Sequence, residues 1–113
     1  MQIQQTDRDG ITIVAPAGRI DTTTSPAVEE ALRRAVDDGA RTILVDLGSV
    51  EYISSAGLRV FLVLAKRMRD LQGRLVLCSL GGPVRQVFQL AGFLPLFHVE
   101  PSQDIAVSTL THA

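Results

Sequence analysis

Tyr52-Ile53-Ser54-Ser55-Ala56-Gly57-Leu58-Arg59-Val60 joins two kinds of periodicity. The approach is apolar and strand-like, whereas the residues after it place apolar side chains at helical spacing. A helix therefore starts at the paired serines. Its first N–H groups lack intrahelical partners, and a Ser hydroxyl at the entry accepts from one of them. The same helix end is a local positive pole that tolerates a negative group. Two roles are open for Ser54 and Ser55: an ordinary cap, or a side chain on which phosphate chemistry occurs.

The helix is expected to run from about Ala56 to Gln72 and to end at Gly73. Leu58, Phe61, Leu62, Ala65 and Met68 mark its inner face; Arg59, Val63, Lys66, Arg67 and Asp70 mark its outer face. Upstream, Ile43-Leu44-Val45 is an uninterrupted apolar run, suited to a strand covered on both faces as in a parallel sheet. Gly48-Ser49-Val50-Glu51 reads as the loop beyond it. Downstream, Arg74 to Cys78 reads as another buried strand. Gly81-Gly82-Pro83 turns into a third helix, with Val84, Val87, Phe88 and Ala91 inward and Gly92 at its end. Leu96 to Val99 is expected to be a short last strand, and Pro101-Ser102 introduces a final helix through about Leu110.

Towards the N-terminus, Gln2 to Thr6 reads as an edge strand, and Asp9-Gly10 as a hairpin turn. The second strand lies near Ile11–Ala17, with Pro16 and Gly18 ending or bulging it. Asp21-Thr22-Thr23-Thr24-Ser25-Pro26 is a loop crowded with hydroxyls and one carboxylate. Ser25 is read as an N-cap and Pro26 as the first helical residue. Ala27, Val28, Ala31, Leu32, Ala35 and Val36 form one apolar stripe, with Glu29–Arg33 and Glu30–Arg34 as outer i,i+4 pairs. Gly39 closes this helix. The expected order is ββαβαβαβα, an α/β class with strand–helix–strand crossovers.

At 113 residues the chain suits a single domain, residues 1–113, and 46% hydrophobic content is enough for a core. The net charge of −1, without a basic block, argues against nucleic-acid binding. The lone Cys78 rules out an internal disulfide and fits a reducing, cytoplasmic setting. Met1 to Asp9 has no signal-peptide pattern, and no apolar run is long enough to span a bilayer, so no membrane association is expected.

Few motifs carry enzyme chemistry. His98 and His112 are far apart with no ligand spacing around them, which argues against a metal; His98 reads as a partly buried structural residue. There is no phosphate-cradling G-x-x-x-x-G-K-[ST], and Gly81-Gly82 lacks a dinucleotide fingerprint. Ile53 stands where a G-x-S-x-G elbow needs its first Gly, so a hydrolase is disfavoured. Cys78 reads as a small core residue. No cofactor is called for. The serine pair stands apart from these. Phosphorylation would add about −1.5 to −2 charges, borne by the helix end but repelled and hard to desolvate beneath a docked partner.

Asp46-Leu47 … Val50-Glu51-Tyr52-Ile53-Ser54-Ser55-Ala56-Gly57-Leu58-Arg59 resembles the signature of STAS domains, most of all the small single-domain anti-sigma factor antagonists. Ala17-Gly18-Arg19-Ile20-Asp21 resembles the family's early G-x-[ILV]-D motif. Gly73 to Cys78 and Val84 to Gly92 match its later strand and helix in pattern. The resemblance implies a mixed β-sheet flanked by helices and a partner switch. The unmodified protein binds an anti-sigma factor that is also a serine kinase of the GHKL type, and so releases the sigma factor. The kinase, using ATP, phosphorylates the antagonist and ejects it, and a metal-dependent serine phosphatase reverses this. By position, Ser55 is the implied phosphoacceptor, with Ser54 the second candidate; Ser54 stands where the family often has Asp. Asp21, Thr22, Thr23 and Thr24, with Ser54, Ser55, Ala56, Gly57 and Arg59, are the implied partner-binding residues. The protein itself is not expected to be an enzyme. A scaffold or sensory module of a larger signalling or transport assembly is the other reading.

Overall fold

Ile43, Leu44 and Val45 form the centre of β3 (Thr42–Asp46), and all three are fully buried. In the computed structural model, which describes residues 1–112, Ile43 and Val45 face one core and Leu44 the other. The unbroken apolar run therefore reflects helices on both faces of the sheet, as the absence of alternation requires. β3 lies between β2 (Ile11–Ile20) and β5 (Arg74–Cys78), parallel to both. β1 (Gln2–Arg8) pairs antiparallel with β2 at one edge, and β6 (His98–Glu100) pairs parallel with β5 at the other.

The larger core holds the inner faces of α1 (Ser25–Asp37), α2 (Ser55–Asp70) and α3 (Gly82–Leu90). The smaller one holds α4 (Gln103–Thr111), whose Ala106, Val107 and Leu110 cover Ile11, Ile13, Leu44, Val76 and Cys78. The strand and helix order is as expected, with one short strand added: β4 (Val50–Ile53), in a segment whose first part reads as a loop.

That strand exists because β2 runs three residues further than the sequence suggests. Thr12–Val14 pair with β3, while Gly18–Ile20 pair with β4 instead. Pro16, which has no N–H to donate, falls between the two pairings. Gly18 takes φ +103° at a bulge in the second pairing, a conformation that favours glycine. β4 has only four residues, with the two middle ones exposed, so it has no periodicity to read.

Other boundaries moved for local reasons. Ser25 is not a cap: it opens α1, is buried, and donates its N–H to the Asp21 carbonyl at 2.8 Å, leaving Thr24 in the cap position. On α2, Val60 and Leu64 are buried while Leu62 and Ala65 are half-buried, because α1 packs along this flank and widens the apolar stripe. Ala91 lies beyond the end of α3 and is exposed. Leu94–Leu96 forms a single 3-10 turn before β6, and His98 is exposed, 3.6 Å from Glu100.

On the outer surface, Arg33 bridges Glu30 and Asp37, Arg34 adds a second contact to Glu30, and Arg67 of α2 reaches Asp37 at 2.6 Å. The expected Glu29–Arg33 pair is absent among the described residues, since Arg33 is engaged on both sides. The Arg67 hydrogen bond, reinforced by the charges of Arg67 and Arg33, holds the Asp37 carboxyl below its ordinary range; Arg33 does the same for Glu30. A carboxyl depressed on folding contributes stability above its unfolded pKa and loses it as pH falls through the folded value. Asp37→Asn is therefore expected to flatten the fall in stability between about pH 4.5 and pH 2. Because these groups are exposed, the difference from the parent shrinks in 1 M salt. Urea titrations across that range check this, and parallel pH profiles at low salt would contradict it.

Candidate functional site

Two loops meet at one end of the larger core. Ser54 is held in extended backbone, with its N–H donating to the Ile20 carbonyl at 2.8 Å. This bond fastens the start of α2 to the end of β2. The Ser54 hydroxyl accepts from the Gly57 N–H at 3.3 Å, the side-chain cap of the helix. Ser55 is the first helical residue, exposed, and its hydroxyl makes no hydrogen bond among the described residues. The two serines therefore differ: Ser54 is the half-buried cap, while Ser55 presents a free hydroxyl to solvent.

Gly57 explains how close the helix comes. A Cβ there would lie 2.7 Å from Ile20 Cγ2 and 2.7 Å from Ile53 Cγ1. Both isoleucines are fully buried at the ends of β2 and β4, so neither has room to withdraw. Ala56 is half-buried beside it.

The loop after β2 is ordered from within. Asp21 Oδ1 accepts from the N–H groups of Thr23 at 2.9 Å and Thr24 at 3.1 Å. The Thr24 hydroxyl donates to the Arg19 carbonyl and accepts from the Asp21 N–H. The backbone donors of Thr24 and Thr23 hold the Asp21 carboxyl below its ordinary value, so it is ionised at neutral pH. Its Oδ2 has no hydrogen-bond partner among the described residues and remains available as an acceptor. Thr22 and Thr23 are exposed, whereas Thr24 is half-buried with its hydroxyl engaged inward. The structure thus brings Asp21 and the serines onto adjoining loops, but gives the three threonines unequal roles.

Two shallow grooves flank Ser55. One, of about 370 Å³, runs between α1 and α2 and is lined by Ser25, Pro26, Glu29, Ala56, Arg59 and Val60 as well as Ser55. The other, of about 280 Å³, lies towards the turn after α3 and adds Leu58, Leu62, Ala91 and Phe93. Arg59 lines both. Glu29, Ala91 and Phe93 carry no mark of this site in the sequence; only the packing of α1 and of the α3 turn brings them there. At the rim, the Arg19 guanidinium lies 4.3 Å from the centre of the Tyr52 ring, a cation–π contact between β2 and β4.

Other chemistry finds little support here. Among the described residues no three His, Cys, Asp or Glu side chains gather to hold a metal. Burial pushes the Cys78 thiol up to about 11, so its thiolate is scarce at neutral pH. No helix among the described residues is long and apolar enough to cross a membrane.

The mixed sheet is covered by helices on both faces, and one of those helices, capped by Ser54, opens with the exposed Ser55 beside the Asp21 loop. The STAS domain model matches residues 2–106, and the chain belongs to that family. It is 41% identical over its whole length to the Bordetella bronchiseptica protein called anti-sigma factor antagonist BtrV, covering 97% of that protein. It is 29% identical to the anti-sigma-B factor antagonist of Staphylococcus aureus, over 93% of this chain and 97% of the relative. The crystal structure of an anti-sigma factor antagonist from Mycobacterium paratuberculosis superposes with a TM-score of 0.87 at 28% identity, covering 96% of this chain and 92% of that one.

The division between the serines has a thermodynamic signature. Ser54→Ala removes the cap and is expected to cost about 1 kcal/mol, whereas Ser55→Ala stays within about 0.5 kcal/mol of the parent. Gly57→Ala forces a Cβ against Ile20 and Ile53 and is expected to cost about 1–3 kcal/mol. Chemical denaturation ranks the three; equal effects at Ser54 and Ser55 would contradict the assignment of the cap.

Proposed function

We propose that this protein is an anti-sigma factor antagonist: it binds an anti-sigma factor that is also a GHKL-type serine kinase, and binding frees the sigma factor. The observation that carries the reading is the exposed, unengaged hydroxyl of Ser55 at the start of a capped helix, in a chain whose relatives carry that name. Residues 1–113 act as one domain in the cytoplasm, by association rather than by catalysis of their own.

The binding surface combines the Asp21–Thr24 loop, Ser54 to Gly57 and Arg59. Ionised Asp21 offers an acceptor to a cationic partner group, and Arg59 a donor to an acidic one. The tight seat of Gly57 keeps the first turn of α2 low against the strands, so that partner backbone approaches closely. In the switching step the kinase transfers the γ-phosphoryl group of ATP. The Ser55 Oγ–P bond forms as the bond to ADP breaks, and the hydroxyl proton passes to a base of the kinase. The product carries about −1.5 to −2 charges on a surface that docking must desolvate, so the complex separates. A serine phosphatase restores the hydroxyl. Ser54 is less suited as acceptor because its oxygen is engaged with the Gly57 N–H.

Incubation with the cognate kinase and ATP is expected to add one phosphate, mapped to Ser55 by peptide mass spectrometry. Ser55→Ala stays unmodified yet folded and binding-competent, while Ser55→Asp binds more weakly by calorimetry. Phosphate on another residue, or undiminished binding by the Asp variant, would overturn the respective part of this reading.

A further inference from the structure

Arg59 is placed to do two incompatible things. It lies one helical turn after Ser55, and i,i+4 side chains share a face about 5–6 Å apart at Cβ. Helical side chains lean towards the N-terminus of their helix, so the Arg59 stem is directed over the turn that carries Ser55. Consistently, both residues line the two grooves that flank the site. Among the described residues the Arg59 guanidinium forms no ion pair and no side-chain hydrogen bond, whereas Arg33, Arg34 and Arg67 are all engaged in ion pairs. An acid four residues before an Arg is the favourable order for such a pair. At present position 55 holds no charge, and the pair is incomplete.

We infer that a phosphate on Ser55 captures the Arg59 guanidinium in cis, withdrawing that cation from the partner surface. The inference rests on the proposal that Ser55 is the modified residue, and it adds a mechanism to it. Repulsion by the new dianion is one cause of release; the loss of a free arginine from the interface is a second, which acts even though the same pairing offsets part of the phosphate charge. A planar guanidinium can give two parallel hydrogen bonds to phosphate oxygens, which a lysine ammonium cannot reproduce in that geometry.

The surroundings sharpen the competition. From α1, Glu29 faces the same groove and forms no ion pair among the described residues. Its carboxylate would repel a phosphate in that groove, so it opposes capture. From the α3 side the wall is Ala91 and Phe93, which bring no charge. In the neighbouring loop Asp21 is ionised but has Oδ1 held by Thr23 and Thr24. Arg59 is therefore the one cation lining either groove beside Ser55 among the described residues.

The test uses full-length protein carrying phosphoserine at position 55 by genetic-code expansion, so that it does not depend on any kinase. The second ionisation of the phosphate is followed by phosphorus NMR in the parent, Arg59→Gln and Arg59→Lys backgrounds. Capture predicts that Arg59→Gln raises that pKa by about half a pH unit, with Arg59→Lys intermediate and the difference shrinking in 1 M salt. The Arg59 Nε–H resonance should also exchange more slowly with solvent in the phosphorylated parent than in the unmodified one. Identical phosphate titrations in the three backgrounds, with unchanged Nε–H exchange, would overturn the inference. Failure of the kinase to modify Ser55 would instead overturn the proposed function and leave this titration to stand as measured.

Discussion

The site depends on one close contact, the seating of Gly57 between Ile20 and Ile53. At that point the backbone of the first turn of α2 rests directly on the Ile20 and Ile53 side chains at the ends of two parallel strands, with no room for a Cβ of its own. The placement of Ser54 and Ser55 follows from this approach. It allows the Ser54 N–H to reach the Ile20 carbonyl, which ties the helix start to β2. It also fixes the height of Ser55 above the sheet and brings the Asp21 loop alongside. A larger residue at position 57 would lift the helix and separate the two loops, although neither loop contains a new defect of its own.

The sheet explains why the two loops can be neighbours at all. β2 changes parallel partner along its length, from β3 at Thr12–Val14 to β4 at Gly18–Ile20. The change occurs around Pro16, a residue that interrupts hydrogen bonding in most strands, and the Gly18 bulge reorients the chain afterwards. The ends of β2 and β4 then stand side by side, one leading into the Asp21 loop and the other into Ser54. An anion-tolerant helix start and an ionised carboxylate are thereby placed on one surface.

Much of this was legible in the sequence because burial on both faces leaves an unmistakable pattern. Ile43-Leu44-Val45 and Leu75-Val76-Leu77 are the inner strands for that reason, and the long helix after Ser55 follows from its spacing. What escaped reading depended on partners distant in the chain. β4 has four residues and no alternation, and it forms because β2 leaves an edge for it. Val60 and Leu64 are buried by α1, a neighbour that periodicity on α2 alone does not announce. Ser25 has the composition of a cap, but the Asp21 carbonyl and the engaged Thr24 hydroxyl move the helix start by one residue. At the serine pair, local chemistry allowed either hydroxyl to cap the helix; tertiary packing makes the half-buried Ser54 the cap and leaves Ser55 exposed. Glu29, read as an outer-face residue of α1, and Phe93, in the turn after α3, gave no sign in the sequence of lying beside Ser55; tertiary packing brings them there.

Adjacent serines with separate duties also bear on how such a domain changes over generations. A residue that both caps a helix and receives a signal would be trapped, since any exchange would threaten the fold. Here Ser54 supports the helix from within, and position 55 faces water with almost nothing resting on it. On the proposed function, a single codon change at position 55 would silence the response, or fix it permanently in one state, while the protein continued to fold as before. Inheritance can thus adjust responsiveness and architecture separately, at two neighbouring positions of the same turn.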